Sequence, residues 1–137
     1  MRRVGCDAGM NALMRPAMYE AYHGIHNLSR FDDGALAAFD VVGPVCETGD
    51  TFARDREIDA VKSGDLAIFR TAGAYGATMA GTYNSRPLTP EVLVSGDKWA
   101  VVRERPPVEA LIEAAPEVAA AGDDEAMQLD EDFLRAL

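Results

Sequence analysis

What most constrains the fold is the apolar run Leu36 to Val42, which breaks abruptly into Gly43-Pro44-Val45-Cys46-Glu47-Thr48-Gly49-Asp50. The run holds Phe39, Val41 and Val42, residue types that suit a pleated, half-buried surface, so it reads as a strand. Pro44 cannot donate to a sheet ladder and Gly49 permits backbone angles that other residues avoid, so the strand must end there. One thiol and two carboxylates are thereby presented at a strand end. A free Cys is usually a small buried hydrophobe, and the loop alone leaves two readings open for Cys46: packing, or a thiol exposed for chemistry.

Toward the N-terminus, Met10, Leu13, Met14, Ala17, Met18 and Ala21 recur at the spacing of an apolar helical face. Pro16 is tolerated in a first helical turn but not in an interior, so the spacing predicts a short turn over 10–14 and a helix starting near Pro16. Arg15 and Tyr19 then lie four apart at the mouth of that helix, either as an Arg stacked on a Tyr or as ligand contacts. His23 and His26 lack a third ligand and read as solvated imidazoles at a helix end rather than as a metal site.

Further along, Asp32-Asp33-Gly34 signals a turn. The interleaved charges of Arg54-Asp55-Arg56-Glu57 predict a solvated connection over 51–60. A strand is expected from Leu66 to Arg70. In Ala72-Gly73-Ala74-Tyr75-Gly76-Ala77, small residues leave the Tyr75 ring and nearby N–H groups unobstructed, which suits either a phosphate cradle or close strand packing. The turn-rich Tyr83-Asn84-Ser85-Arg86-Pro87 precedes a hairpin, in which Glu91 to Val94 and Lys98 to Val102 flank a three-residue loop, Ser95-Gly96-Asp97. Pro107 opens a last helical stretch through about Ala115. The pattern predicts one mainly β domain with a few helices (α+β) over 1–115. An acidic tail over 116–137 is expected to be disordered or a weak amphipathic helix.

The size of 137 residues allows one core but is small for an enzyme that must also enclose a cofactor. A formal net charge of -10 disfavours nucleic acid and anionic membranes. From Pro116 onward seven acids face Arg135 alone, so most of that charge belongs to the tail. Cys6 and Cys46 show neither zinc-site nor disulfide spacing, which fits a reducing cytoplasm. No targeting segment and no bilayer-spanning run is read.

Taken together, the Cys46 loop, Asp7-Ala8-Gly9-Met10-Asn11, Arg15-Pro16-Ala17-Met18-Tyr19, Ala21-Tyr22-His23, Ala72-Gly73-Ala74-Tyr75-Gly76 and Tyr83-Asn84-Ser85-Arg86-Pro87 occur in one order. In these motifs the chain, from about Val4 to Leu111, closely resembles the C-terminal part of diaminopimelate decarboxylase. The resemblance implies a pyridoxal-phosphate enzyme of fold type III, like alanine racemase and ornithine decarboxylase. There a cofactor-holding (β/α)8 barrel is followed by a β-sandwich or barrel-like domain, the only part this chain resembles. It implies that Cys46 is the proton donor and that Glu47, Arg15 and Tyr19 contact substrate. Tyr75 would touch both substrate and cofactor. A homodimer is implied in which the Cys loop completes the partner's site. Thr48 departs from the commoner Ser but keeps the hydroxyl.

The chemistry fits these implied roles. Loss of CO2 leaves electron density at Cα, to which a positioned acid must deliver a proton. The far end of diaminopimelate carries an ammonium and a carboxylate, which an anion such as Glu47 and a planar cation such as Arg15 can grip. Related ornithine decarboxylases have Asp after the Cys and lack the Arg-Pro segment, so ornithine is disfavoured, whereas a relative acting on D-amino acids could share it.

A pyridoxal enzyme also needs a lysine for its cofactor and a cradle for the phosphate. The two lysines here, Lys62 and Lys98, both flank Ser-Gly-Asp turns and read as exposed. The expectation is half of an active site: a fragment of a full decarboxylase, one subunit of a split enzyme, or a non-catalytic module that pairs with a decarboxylase. Alone, the chain is expected to be inactive.

Overall fold

The computed structural model describes residues 2–30 and 35–113. The Asp32-Asp33-Gly34 turn and the tail lie outside them. The elements in order are β1 (Arg3–Gly5), α1 (Arg15–Tyr19), β2 (Ile25–Asn27), β3 (Leu36–Val42), β4 (Thr51–Asp59), β5 (Ala67–Phe69), α2 (Gly73–Met79), β6 (Glu91–Ser95), β7 (Lys98–Arg103) and α3 (Val108–Glu113). Among the described residues the domain is mainly β with three short helices, and its sheets are open rather than closed into a barrel.

The central sheet has the order β1-β3-β4. β1 runs parallel to β3 with Val4 opposite Val41, so the intervening chain must cross over, and it carries α1 and β2 on the way. β3 pairs antiparallel with β4. A second, two-stranded sheet pairs β2 with β5. Leu13, Ile25, Val41, Phe52, Ala53 and Ile58 form the buried core that joins these pieces. The Phe52 and Phe69 rings meet at 4.6 Å in a tilted arrangement, tying the two sheets together.

Residues 51–60, expected to be a solvated connection, are instead the longest strand, β4. Two register shifts put extra residues into β4 opposite Asp40 and between Val41 and Val42. At the first, Asp55 takes a left-handed φ of 45° and donates its N–H to the buried Asp40 carboxylate at 2.9 Å. The shifts break the two-residue alternation, so Phe52 and Ala53 are buried in succession while the neighbouring Arg54 and Asp55 face solvent. Arg56 is not merely solvated. It stacks on the Tyr22 ring at 4.0 Å and donates to the His23 carbonyl at 3.0 Å.

The two histidines also differ from expectation. α1 ends at Glu20 in a left-handed conformation, and the chain beyond it leaves the helix and runs into β2. His23 is buried, with Nδ1 at 3.1 Å from the Arg70 carbonyl, and His26 lies on β2 with Nδ1 3.7 Å from Asp59. The hairpin loop is one residue shorter than predicted. Ser95 pairs with Lys98, which leaves Gly96-Asp97 as a two-residue turn with Gly96 at a φ of +61°.

The β6-β7 hairpin exposes Val92, Leu93, Val94, Trp99, Val101 and Val102, consecutive residues that alternate between its two faces. Both faces are therefore apolar and uncovered. None of the helices among the described residues is long and apolar enough to cross a membrane.

Candidate active site

β3 delivers the chain to the Cys46 turn, and backbone bonds close it. Gly43 N–H donates to the Asp50 carbonyl at 3.0 Å, Glu47 N–H to the Val45 carbonyl at 2.7 Å, and Asp50 N–H to the Glu47 carbonyl at 3.0 Å. Val45 is buried beneath, while Cys46, Glu47 and Thr48 face solvent. Glu47 Oε1 accepts from the Gly49 N–H at 3.0 Å and from the Thr48 hydroxyl at 3.2 Å. These bonds, led by the Gly49 N–H, hold the Glu47 carboxyl below the usual carboxylate range, so it is a fixed anion beside the thiol.

Asp50 is the buried end of the same turn, 4% exposed. Its Oδ2 accepts the Val45 N–H at 2.7 Å and its Oδ1 accepts the Met10 N–H at 2.7 Å. The fit leaves no room for side chains nearby. A Cβ on Gly43 would overlap the Asp50 carboxylate, and one on Gly9 would lie 2.9 Å from Asp50 Oδ2 and 2.7 Å from Val45 Cγ2. Residues 7–11 also receive the Arg86 guanidinium at the Asp7 carbonyl and the Gly81 N–H at the Asn11 carbonyl, 2.9 Å away. This segment is therefore the junction of the Cys46 turn and the 81–86 loop.

From that junction, the turn closed by Gly9 leads to α1, where Pro16 occupies the first turn as its sequence position requires. Arg15 opens the helix and Tyr19, exposed, lies one turn on. The Arg15 guanidinium sits over the Tyr75 ring at 5.6 Å. Tyr75 owes its position to a break inside α2: Ala74 is extended and Tyr75 has a φ of 64°. A left-handed φ is a sparsely populated choice for a bulky residue, and Tyr75 is 62% exposed.

Arg15 thus meets Tyr75, on which it stacks rather than on Tyr19, and Tyr19 lies one turn further along α1. Cys46 and Glu47 occupy a separate turn, linked to the first group through Asp50 and residues 7–11. The sequence reading placed Asp50 in the loop but gave it no role. Its signal was the pair of glycines, Gly9 and Gly43, which only a folded structure brings against one carboxylate. Lys62 and Lys98 are exposed. The open Tyr75 ring fits a contact with a planar pyridine cofactor, but neither lysine sits where a cofactor could be attached and shielded.

The two thiols differ in kind. Cys6 is half-buried, and burial, followed by the charges of Asp7 and Asp50, pushes its pKa up. Cys46 is exposed. In the folded chain at neutral pH, Cys46 is expected to alkylate with iodoacetamide well before Cys6, as followed by peptide mass spectrometry. Equal protection of both would make Cys46 a packing residue.

Comparison with known proteins gives this geometry its family. Residues 2–73 match the family described as pyridoxal-dependent decarboxylase, C-terminal sheet domain. The chain belongs to this family. It is 56% identical over 111 residues to the diaminopimelate decarboxylase of Zymomonas mobilis, covering 81% of this chain and 26% of that protein. The solved diaminopimelate decarboxylase of M. jannaschi superposes with a TM-score of 0.77 at 42% identity, over 82% of this chain and 26% of that one. That of Helicobacter pylori, complexed with L-lysine, gives 0.74 at 40% identity, over 81% and 27%. The chain spans about a quarter of the length of the curated relatives it matches.

Proposed function

We propose that this chain supplies the proton donor and the substrate grip of a pyridoxal-dependent diaminopimelate decarboxylase. The observation that carries the reading is the exposed Cys46-Glu47 pair on a rigid strand-end turn, in a chain similar to enzymes of that name. A bound pyridoxal cofactor would supply a sink for the electron pair that departing CO2 leaves behind. The Cys46 Sγ–H then delivers a proton to the substrate Cα, and the exposed thiolate regains one from solvent. Glu47, held ionised, faces the distal ammonium, and Arg15, backed by Tyr75, holds the distal carboxylate with help from the Tyr19 hydroxyl. The product is lysine.

The lysine that carries the cofactor and the cradle for its phosphate belong, on this reading, to a (β/α)8 barrel. That barrel stands on the same or a separate polypeptide, and a second copy of the unit completes a dimer. The two-sided apolar hairpin supports the need for such a covering surface. The test is reconstitution. A family barrel expressed without its own C-terminal domain, mixed with this chain, is expected to bind it and to release CO2 from diaminopimelate with formation of lysine, whereas neither piece does so alone. Turnover by the chain without a barrel, or an associated but inactive pair, would overturn the reading.

A further inference from the structure

We propose that His23 is a positioning residue for the substrate grip: its ring holds the Arg70 carbonyl and thereby fixes the chain that places Tyr75 beneath the Arg15 guanidinium. The inference rests on the functional reading above for its effect on substrate, while its geometry lies within one chain and does not involve the Cys46 turn. His23 is buried, 2% exposed, between the end of α1 and β2. Its Nδ1 lies 3.1 Å from the Arg70 carbonyl, and the Arg70 N–H donates to the carbonyl of the next residue, Gly24, at 2.8 Å. Both backbone groups of Arg70 are thus held by two consecutive residues.

A carbonyl oxygen only accepts, so the bond places the ring proton on Nδ1. Nε2 is buried with no hydrogen-bond partner among the described residues, so nothing there competes for that proton. From Arg70 the chain soon reaches Tyr75, and it passes through sparsely populated backbone twice: Thr71 has a φ of 60° and Tyr75 one of 64°. A β-branched residue takes such a conformation only where its surroundings hold it, and the residue before Thr71 is the one the His23 ring holds. On the other side, His23 closely follows Glu20, the end of α1, and α1 carries Arg15. Arg56 secures this joint from β4 by donating to the His23 carbonyl at 3.0 Å and stacking on the Tyr22 ring at 4.0 Å. Arg15 and Tyr75, which meet at 5.6 Å, are therefore carried by two arms that start from residues 22–24.

The test begins with the wild-type chain, in which long-range proton–nitrogen spectra at neutral pH are expected to show a proton on His23 Nδ1. A proton on Nε2 alone would overturn the bond and the proposal with it. The Arg15 side-chain resonances are displaced by the Tyr75 ring current, and Tyr75→Leu shows where they lie without it. His23→Leu removes the donor. It is expected to move the Arg15 resonances toward their Tyr75→Leu positions while the Cys6 amide, bonded to the Val42 carbonyl at 2.8 Å, stays protected from exchange and reports an intact sheet. His23→Asn, whose NH2 can stand where Nδ1 stands, should keep them near their wild-type positions. Should His23→Leu not fold, His23→Gln, whose amide lies one carbon further out, is expected to show the same displacement. In the reconstituted pair, His23→Leu is expected to narrow the preference for diaminopimelate over ornithine roughly tenfold, and His23→Asn to restore most of it, because the distal carboxylate depends on where Arg15 stands. A residue that only stabilises the fold would lower both rates in proportion and leave the preference unchanged. A folded His23→Leu whose Arg15 resonances stay at their wild-type positions would overturn the proposal, and so would an active pair in which that variant keeps the wild-type preference. An inactive wild-type pair would instead sink the functional reading and leave the ring proton and the Arg15 resonances to decide the role of His23.

Discussion

In the reconstituted pair, Cys46→Ala is expected to lower kcat by roughly two to four powers of ten while KM for diaminopimelate stays within about threefold. The asymmetry follows from the order of events. On the proposed function the thiol proton is needed only after CO2 has left, so the Cys46 side chain should contribute to the barrier and little to the grip on the substrate. Its surroundings suit that use. Cys46 faces solvent on a turn closed by backbone bonds, and the neighbouring Glu47 carboxylate is already occupied by the Gly49 N–H and the Thr48 hydroxyl. Cys46→Ser separates the acid from the shape, since a hydroxyl of similar size is a far weaker acid and should recover little of the rate. A Cys46→Ala pair with unchanged kcat, measured by CO2 release under saturating substrate, would show that another group delivers the proton.

Much of this site was legible before folding because its signals are local. Pro44 and Gly49 end a strand, Pro16 starts a helix, and Gly73 and Gly76 leave Tyr75 exposed, and each of these statements needs only a few neighbouring residues. Two features were hidden because their causes are distant in sequence. β4 looked like a charged linker, since its bulges put Phe52 and Ala53 side by side in the core and the carboxylate that supports the first bulge comes from Asp40 on β3. His23 looked solvated because the partner of its ring is a backbone carbonyl 47 residues away, which no side-chain pattern announces. The same holds for Asp50, whose second donor, Met10, is 40 residues distant.

Arg15→Lys is expected to lower kcat/KM for diaminopimelate by about one to two powers of ten. Lys keeps the charge but loses the planar fork that holds a carboxylate through two hydrogen bonds, and a hydrogen bond to a charged group contributes about 1.5–3 kcal/mol. The structure adds a second cost. The guanidinium lies over the Tyr75 ring at 5.6 Å, and the ring is held by a left-handed backbone at Tyr75. A flat guanidinium can stack on that ring while its edge stays free for the carboxylate, whereas an ammonium has no edge to offer. The effect should be confined to substrates with a distal carboxylate. Comparing diaminopimelate with ornithine, which has the distal amine alone, reads the difference directly. The wild-type pair should strongly prefer diaminopimelate, and Arg15→Lys should narrow that preference by lowering the better rate rather than by raising the poorer one. If the wild-type pair turns over both substrates equally well, or if Arg15→Lys leaves kcat/KM for diaminopimelate unchanged, then Arg15 does not hold the distal carboxylate, and its stacking on Tyr75 serves only to shape the surface around α1.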